Sequence, residues 1–329
     1  MAKDSAMLSR RSLLPSLSLA LACPAALARA APDDFESFLA AVRAEARRSG
    51  VRAATLDRAL DDVRPNQKVL DKLNHAPEFT MTWAQYRAML VTDKRIEEGR
   101  AAHRRNAALF RAVGDRFGVA PSVIIGIWGL ESSYGTKMGD YRVVESLATL
   151  AWGSARRPFF RSELIAALRI LDHGDIAPER MTGSYAGAMG QPQFMPTSFL
   201  RFAVDFQGNG RRDIWTSTPD VLASIANYLA RNHWVPGEAW GMEVAVPPGL
   251  DPALAGRDER RPLREWRELG VRSLSGRPLA GDREAALLLP DGAGGESFLV
   301  FANFAAIRRY NPSDFYALVV GLVGDSVLA

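Results

Sequence analysis

The chain has 329 residues, 47% hydrophobic and 24% charged, with a formal charge of +4. These values describe an ordinary globular protein with room for one large domain or two smaller ones, and they exclude long disordered tracts. Residues 1–30 carry Lys3, Arg10, Arg11 and Arg29 against Asp4 alone; without them the charge stands near +1, and no basic run with interleaved aromatics points to nucleic acid.

The first 30 residues read as an export signal. Ser9-Arg10-Arg11-Ser12-Leu13-Leu14 precedes an apolar stretch, and Ala28-Arg29-Ala30 has the small-x-small pattern of a cleavage site. The paired arginines are twin-arginine-like, although Sec signals can carry two arginines as well. Pro15, two serines and Pro24 leave the apolar part short of the ~20 residues that a membrane span needs. Cys23 is the only cysteine; Ala20, not leucine, stands three before it, so an outer-membrane lipoprotein is disfavoured against a periplasmic protein. Cleavage after Ala30 leaves no thiol, and with it no disulfide, zinc–thiolate site or cysteine nucleophile.

Phe35, Phe38, Leu39 and Val42 fall at i, i+3, i+4 and i+7, an amphipathic helix. Helical patterning continues through 56–63, 83–91 and 96–113, broken by Pro65 and a Pro77-Glu78-Phe79 turn, so residues 33–118 read as a helical accessory region. A catalytic core is expected over 119–240. Its first helix begins at Pro121 and runs through apolar residues to Glu131-Ser132-Ser133-Tyr134-Gly135, where Gly135 is expected to break it. Helices follow at 147–152, 161–173 and 220–229. From about 241 to 300, prolines and glycines punctuate short apolar runs at 243–246, 285–289 and 298–301, a small β-rich region. The chain closes with Tyr310-Asn311-Pro312-Ser313 and a final apolar helix.

Glu131 is the residue out of place. A helical glutamate is ordinarily solvated, since glutamate is rarely buried unless paired. Here Ile127 and Trp128 share its face and the negative end of the helix dipole lies beside it; both disfavour the ionised form. A carboxyl in that setting can hold a proton near neutrality, as a general acid must.

Other segments offer polar groups for a ligand. Arg156-Arg157 beside Phe159-Phe160 fits solvated charges over buried rings, or the lining of a cleft for an anionic, sugar-bearing polymer. Gly183, Gly187 and Gly190 suit a turn in which backbone comes close to a ligand or a neighbouring strand, and Gln193 brings a donor and an acceptor suited to sugar hydroxyl and acetamido groups. Asp205, Gln207 and Asn209 with Gly210 at the sixth position open like a calcium loop, but Thr216 stands where a twelfth-position glutamate belongs, and a metal-free turn fits as well. Four scattered histidines and the absence of HExxH, GxSxG and GxGxxG leave a carboxylate acting on a sugar polymer as the remaining chemistry. Spacing alone does not show whether Asp140, Glu145 or Glu163 supplies a second carboxylate.

Glu131–Gly135, Gly183–Gly190 with Gln193-Phe194-Met195-Pro196, the 205–215 stretch, Ala226-Asn227-Tyr228 and Tyr310–Ser313 resemble, in order, the membrane-bound lytic murein transglycosylase B family, glycoside hydrolase family 103. The likeness covers about residues 35–325. It implies a mainly α (α+β) fold, with a lysozyme-like helical core, a helical accessory domain and a small β domain, and residues 301–329 as a cleft-lining turn and helix. It implies non-hydrolytic cleavage of the MurNAc-β-1,4-GlcNAc bond of peptidoglycan to 1,6-anhydroMurNAc ends, with Glu131 as the lone general acid and then base. Ser184, Gln193, Tyr228, Tyr310 and Tyr316 match residues that line the sugar cleft, and Arg156 and Arg157 match arginines near it. No cofactor is implied as required; a structural calcium at Asp205 and Asn209 is the open question. Peptidoglycan strands are the implied partner of a monomeric enzyme, with cell-wall synthases or amidases as candidate protein partners. Gln191-Pro192 departs from the Tyr-Gly of relatives. A hydrolytic muramidase and a non-catalytic peptidoglycan-binding protein are the competing readings.

Overall fold

The structure is a computed structural model that describes residues 34–74, 81–276 and 278–329. The export signal with Cys23, His75 and the Pro77–Phe79 turn lie outside the described residues. Six helices come first: α1 (Phe35–Arg48), α2 (Ala53–Leu60), α3 (Gln67–Asn74), α4 (Trp83–Leu90), α5 (Asp93–Arg105) and α6 (Ala107–Phe117). The periodicity over 96–113 reads as one helix, but the chain breaks at Asn106, whose side-chain amide donates to the carbonyl of Ala102 and ends α5. An asparagine that bonds its own backbone competes with the helix ladder.

Next come α7 (Pro121–Ser132), β1 (Tyr141–Arg142), α8 (Val143–Gly153), α9 (Arg157–His173), β2 (Thr182–Gly183), α10 (Pro196–Phe202) and α11 (Thr218–Ala230). β1 and β2 form a short antiparallel ribbon. A second sheet follows, built from β3 (Gly241–Ala245), β4 (Arg260–Pro262), β5 (Arg272–Ser273), β6 (Glu284–Leu288) and β7 (Ser297–Val300) in the antiparallel order β4-β6-β7-β3-β5. Within it lies α12 (Leu263–Glu268), a short helix absent from the sequence expectation; Trp266 anchors it, fully buried, with its indole donating to Ala285. The chain ends in α13 (Ala302–Tyr310), also not expected, and α14 (Asp314–Leu328). Ser313 caps α14 by accepting the Tyr316 amide.

One apolar cluster runs through every helix but α12, and a smaller one, which takes in α12, lies against the five-stranded sheet. At the centre α7 lies along α14. α7 is apolar on every side because it is covered on every side; burying Ile124, Ile125 and Ile127 contributes roughly 1.5–3 kcal/mol each. Glycines permit the approach: a Cβ on Gly126 would stand 2.2 Å from the Val320 carbonyl oxygen, and one on Gly324 would stand 2.0 Å from that of Ser122. Among the described residues no single helix is long and apolar enough to cross a membrane.

α4 is clamped from outside. Asp291 accepts the amides of Trp83 and Ala84 at its first turn, Glu296 accepts the Trp83 indole, and the Trp83 ring packs edge-on against Phe298 and Phe315. The sheet therefore holds α4 against the start of α14, where the candidate site lies.

Gly324→Ala gains ~1 kcal/mol of helix propensity but forces two backbones apart, at ~1–3 kcal/mol. We expect a lower urea midpoint for that variant, and an unchanged or raised midpoint would contradict the close-packing account.

Candidate active site

Glu131 is the penultimate residue of α7. The helix stops earlier than Gly135 because Ser133 (φ 47°) and Tyr134 (φ 58°) already turn left-handed. That conformation costs a non-glycine residue ~1–2 kcal/mol, and local contacts offset it. The Tyr134 ring fills the space over Gly129 and Gly99, where a Cβ would come within 2.7 and 2.5 Å of it, and its hydroxyl donates to the Arg95 carbonyl at 2.9 Å. The Tyr134 amide returns to the Trp128 carbonyl at 3.2 Å, and Ser132 Oγ accepts the Gly135 amide at 3.1 Å. The chain swings away and leaves the Glu131 carboxyl at the helix end.

α14 meets it there. Tyr316, in the first turn of α14, donates its hydroxyl to Glu131 Oε1 at 2.5 Å. Ile127, Trp128 and Tyr316 are all buried. Burial pushes the Glu131 carboxyl up to about 7, while the Tyr316 hydrogen bond, which favours the charged form, pulls the other way. With Oε1 accepting from Tyr316, a proton held by the carboxyl belongs on Oε2. Burial first, and the nearby Glu131 charge second, raise the phenols of Tyr86, Tyr310 and Tyr316, so these groups stay protonated.

The other anticipated residues fall into three groups. Tyr228 and Tyr310 pack on each other (4.7 Å between centroids) and on Phe194 with their rings tilted, and their hydroxyls donate to the carbonyls of Arg309 and Pro192. Both hydroxyls are thus engaged by backbone carbonyls of the chain. Ser184 and Gln193 lie on the glycine-rich turn. Ser184 Oγ accepts the Ala188 amide, and Gln193, at φ 51°, donates to the carbonyls of Met138 and Gly190, which leaves its Oε1 open. The turn's glycines face protein backbone and side chain: a Cβ on Gly183 would stand 2.0 Å from the Ala188 oxygen, and one on Gly187 2.4 Å from the Leu147 side chain. Arg156 and Arg157 occupy the N-terminus of α9, with Arg156 4.3 Å above the Phe159 ring.

Two of the three carboxylates considered beside Glu131 are engaged elsewhere. Glu163 accepts the Thr197 amide and hydroxyl at the start of α10, and Glu145 accepts the Asn66 side-chain amide. Asp140 is exposed in the turn before β1. In the 205–216 loop, Asp205 accepts the amides of Gly208, Asn209 and Gly210, Asn209 Oδ1 accepts that of Arg211, and Gln207 accepts the Ser217 hydroxyl. Among the described residues no three His, Cys, Asp or Glu side chains converge as a metal site.

Two residues of the neighbourhood carried no sequence signal strong enough to single them out. Tyr86, on α4, packs against Phe315, and its phenol feels the Glu131 charge. Gln191 is buried; its Oε1 accepts the Trp128 indole at 2.8 Å and its Nε2 donates to the Trp215 carbonyl at 2.9 Å. It ties the Glu131 helix to the 205–216 loop. In sequence it shows only as a departure from the family pattern.

Glu131 also makes stability depend on pH. Its folded-state value lies above the ordinary 4.5, so the folded protein keeps a proton that the unfolded chain releases. Stability falls as pH rises from about 4.5 to about 7, and above that the penalty stays on the order of 3 kcal/mol. Glu131→Gln removes the penalty. Urea unfolding should show the variant more stable than wild type by that order at pH 8 and level with it near pH 4; equal offsets at both pH values would contradict the burial account.

The chain is similar to known proteins over most of its length. Residues 34–325 match the family described as the transglycosylase SLT domain. The chain is 33% identical over 249 residues to the membrane-bound lytic murein transglycosylase B of Escherichia coli K12, covering 74% of this chain and 67% of that one. It is similar to SltB3 of Pseudomonas aeruginosa, solved in complex with NAG-anhNAM-pentapeptide, at 44% identity and TM-score 0.87 over 90% of this chain and 80% of that one. It is also similar to the Escherichia coli lytic transglycosylase Slt35, solved in complex with calcium, at 29% identity and TM-score 0.74 over 89% and 92% of the two chains. With a family match spanning nearly all the described residues and a lysozyme-like, mainly helical fold shared with these structures, the chain belongs to the transglycosylase SLT domain family.

Proposed function

We propose that the protein is a lytic murein transglycosylase that cleaves the MurNAc-β-1,4-GlcNAc bond of peptidoglycan without water, with Glu131 as its single acid and base. One observation carries the assignment of Glu131: its carboxyl lies partly exposed at the C-terminal end of α7, held by Tyr316 and raised to about 7 by the apolar surroundings. Such a group gives up a proton and takes one back at the same pH.

In the first step the carboxyl delivers its proton to the glycosidic oxygen. The C1–O bond breaks, GlcNAc leaves as an alcohol at C4, and the acetamido oxygen of MurNAc closes onto C1. The carboxylate so formed draws the proton from the C6 hydroxyl. O6 attacks C1, the acetamido oxygen departs, and the 1,6-anhydro ring closes with Glu131 protonated again. No second carboxylate is needed, in keeping with the engagement of Glu145 and Glu163. Tyr316 supports the carboxylate between the two steps, and its high proton affinity keeps it a donor. The paired rings of Tyr228 and Tyr310 give sugar rings an apolar wall, Ser184 and Gln193 supply polar contacts, and Arg156 and Arg157 face the anionic groups of the polymer.

No step runs through a cation. The side-chain oxygens of Asp205, Gln207 and Asn209 already accept donors of the chain itself, so the 205–216 loop fits a self-closed turn better than a calcium site. The substrate is a cell-envelope polymer, and the Arg10-Arg11 leader ending at Ala30 supports delivery to the periplasm.

Digestion of isolated sacculi by the purified mature protein should release muropeptides ending in 1,6-anhydroMurNAc, one water lighter than those of a hydrolase, by mass spectrometry. Glu131→Gln should lower the rate at least ~10²–10⁴-fold while sacculus binding persists. Reducing-end MurNAc would contradict the reaction, and near-wild-type turnover in the variant would contradict the role of Glu131.

A further inference from the structure

A second cluster stands on the β1–β2 ribbon. Lys72, exposed in the last turn of α3, places Nζ 5.2 Å from the centroid of the Tyr141 ring and 5.9 Å from that of Tyr185. The two rings meet edge to face at 6.5 Å. Among the described residues no carboxylate pairs with Lys72, and neither tyrosine hydroxyl has a protein partner. A lysine stem usually moves freely. Here two ring faces attract the ammonium, worth roughly 0.5–1 kcal/mol at an exposed site, and localise a charge that is still open to solvent.

The cluster is joined to the neighbourhood of Glu131. Tyr141 pairs with Gly183 across the ribbon, and Tyr185 follows Ser184. A Cβ on Gly139 would stand 2.3 Å from the Gly183 oxygen, so the two strands are locked together. Gln193 then binds the Met138 carbonyl at 3.0 Å, which connects the ribbon to the glycine-rich turn. The segment that reaches the ribbon is the one that leaves α7 immediately after Glu131.

We propose that Lys72, framed by Tyr141 and Tyr185, is a subsite for a carboxylate carried by a muramyl unit of the bound strand. The inference rests on the peptidoglycan reading above and adds a selectivity to it. GlcNAc has no anion to offer. A muramyl unit has one of two: the free lactyl carboxylate where the peptide has been removed, or the carboxylates of the peptide where it is present. An ammonium with no counter-ion among the described residues, localised beside ring faces, fits either, and the neutral sugar polymer lacks the matching charge.

Binding is measured by calorimetry on Glu131→Gln, which removes turnover. Three saccharides of equal length serve as ligands: peptide-bearing glycan, glycan stripped of peptide, and a GlcNAc oligomer. Adding Lys72→Met should raise Kd roughly three- to fivefold, the size of an exposed ion pair, for ligands carrying the recognised carboxylate. It should leave the GlcNAc oligomer unchanged, and Lys72→Arg should restore most of the loss. A loss confined to peptide-bearing glycan assigns the site to the peptide carboxylates, and a loss confined to stripped glycan assigns it to the lactyl group. Equal weakening of all three ligands, or of none, overturns the subsite while leaving the reading of the cleft intact. Failure of every saccharide to bind Glu131→Gln with Lys72 unchanged overturns the reading of the cleft itself.

Discussion

The site depends on how closely α7 and α14 can approach. Gly126 and Gly324 remove the side chains that would otherwise separate the two backbones, and the register they permit puts the Tyr316 hydroxyl on the Glu131 carboxyl. Ser313 fixes the start of α14, and the Asp291 and Glu296 contacts to α4 bring Tyr86 and Phe315 in behind it. The end of α7 is set as firmly, by Tyr134 packed over two glycines and by the Gln191 amide on the Trp128 indole. These are contacts of the chain with itself. Their product is a carboxyl held in one place.

That placement carries an energetic consequence. Burial favours the neutral acid and the Tyr316 hydrogen bond favours the anion; the balance at about 7 leaves both forms accessible in one turnover. Without the hydrogen bond the anion would be too costly to form, and without the burial the proton would be gone before the bond breaks. Two carboxylates would divide these roles between them; on the proposed reading one group does both, and Glu145 and Glu163 are bound into the fold.

The helical class, the small sheet and Glu131 were legible in the sequence because each has a local signature. Apolar spacing marks α1, Pro121 marks the start of α7, and an acidic residue after Ile127 and Trp128 stands out by contrast. What was not legible depends on contacts between distant segments. Gly126 and Gly324 read as weak helix positions until the partner backbone is seen 2.0–2.2 Å from where a Cβ would lie. Tyr86 lies 45 residues before Glu131 and looks like any aromatic on a helix face. Gln191 looks like a surface amide, although it joins an indole and a carbonyl in the interior. The break at Asn106 escaped because the apolar periodicity continues across it, and the early turn at Ser133 because two non-glycine residues take the left-handed conformation expected of Gly135.

The most direct test of the central claim is the titration of Glu131 itself. Carbon-13 spectra of side-chain-labelled glutamate, wild type against Glu131→Gln, isolate one carboxyl resonance. This resonance should titrate near 7, and higher still in Tyr316→Phe, where the hydrogen bond that favours the anion is lost. A Glu131 resonance titrating near 4.5 with the surface glutamates, or one indifferent to Tyr316, would contradict the claim.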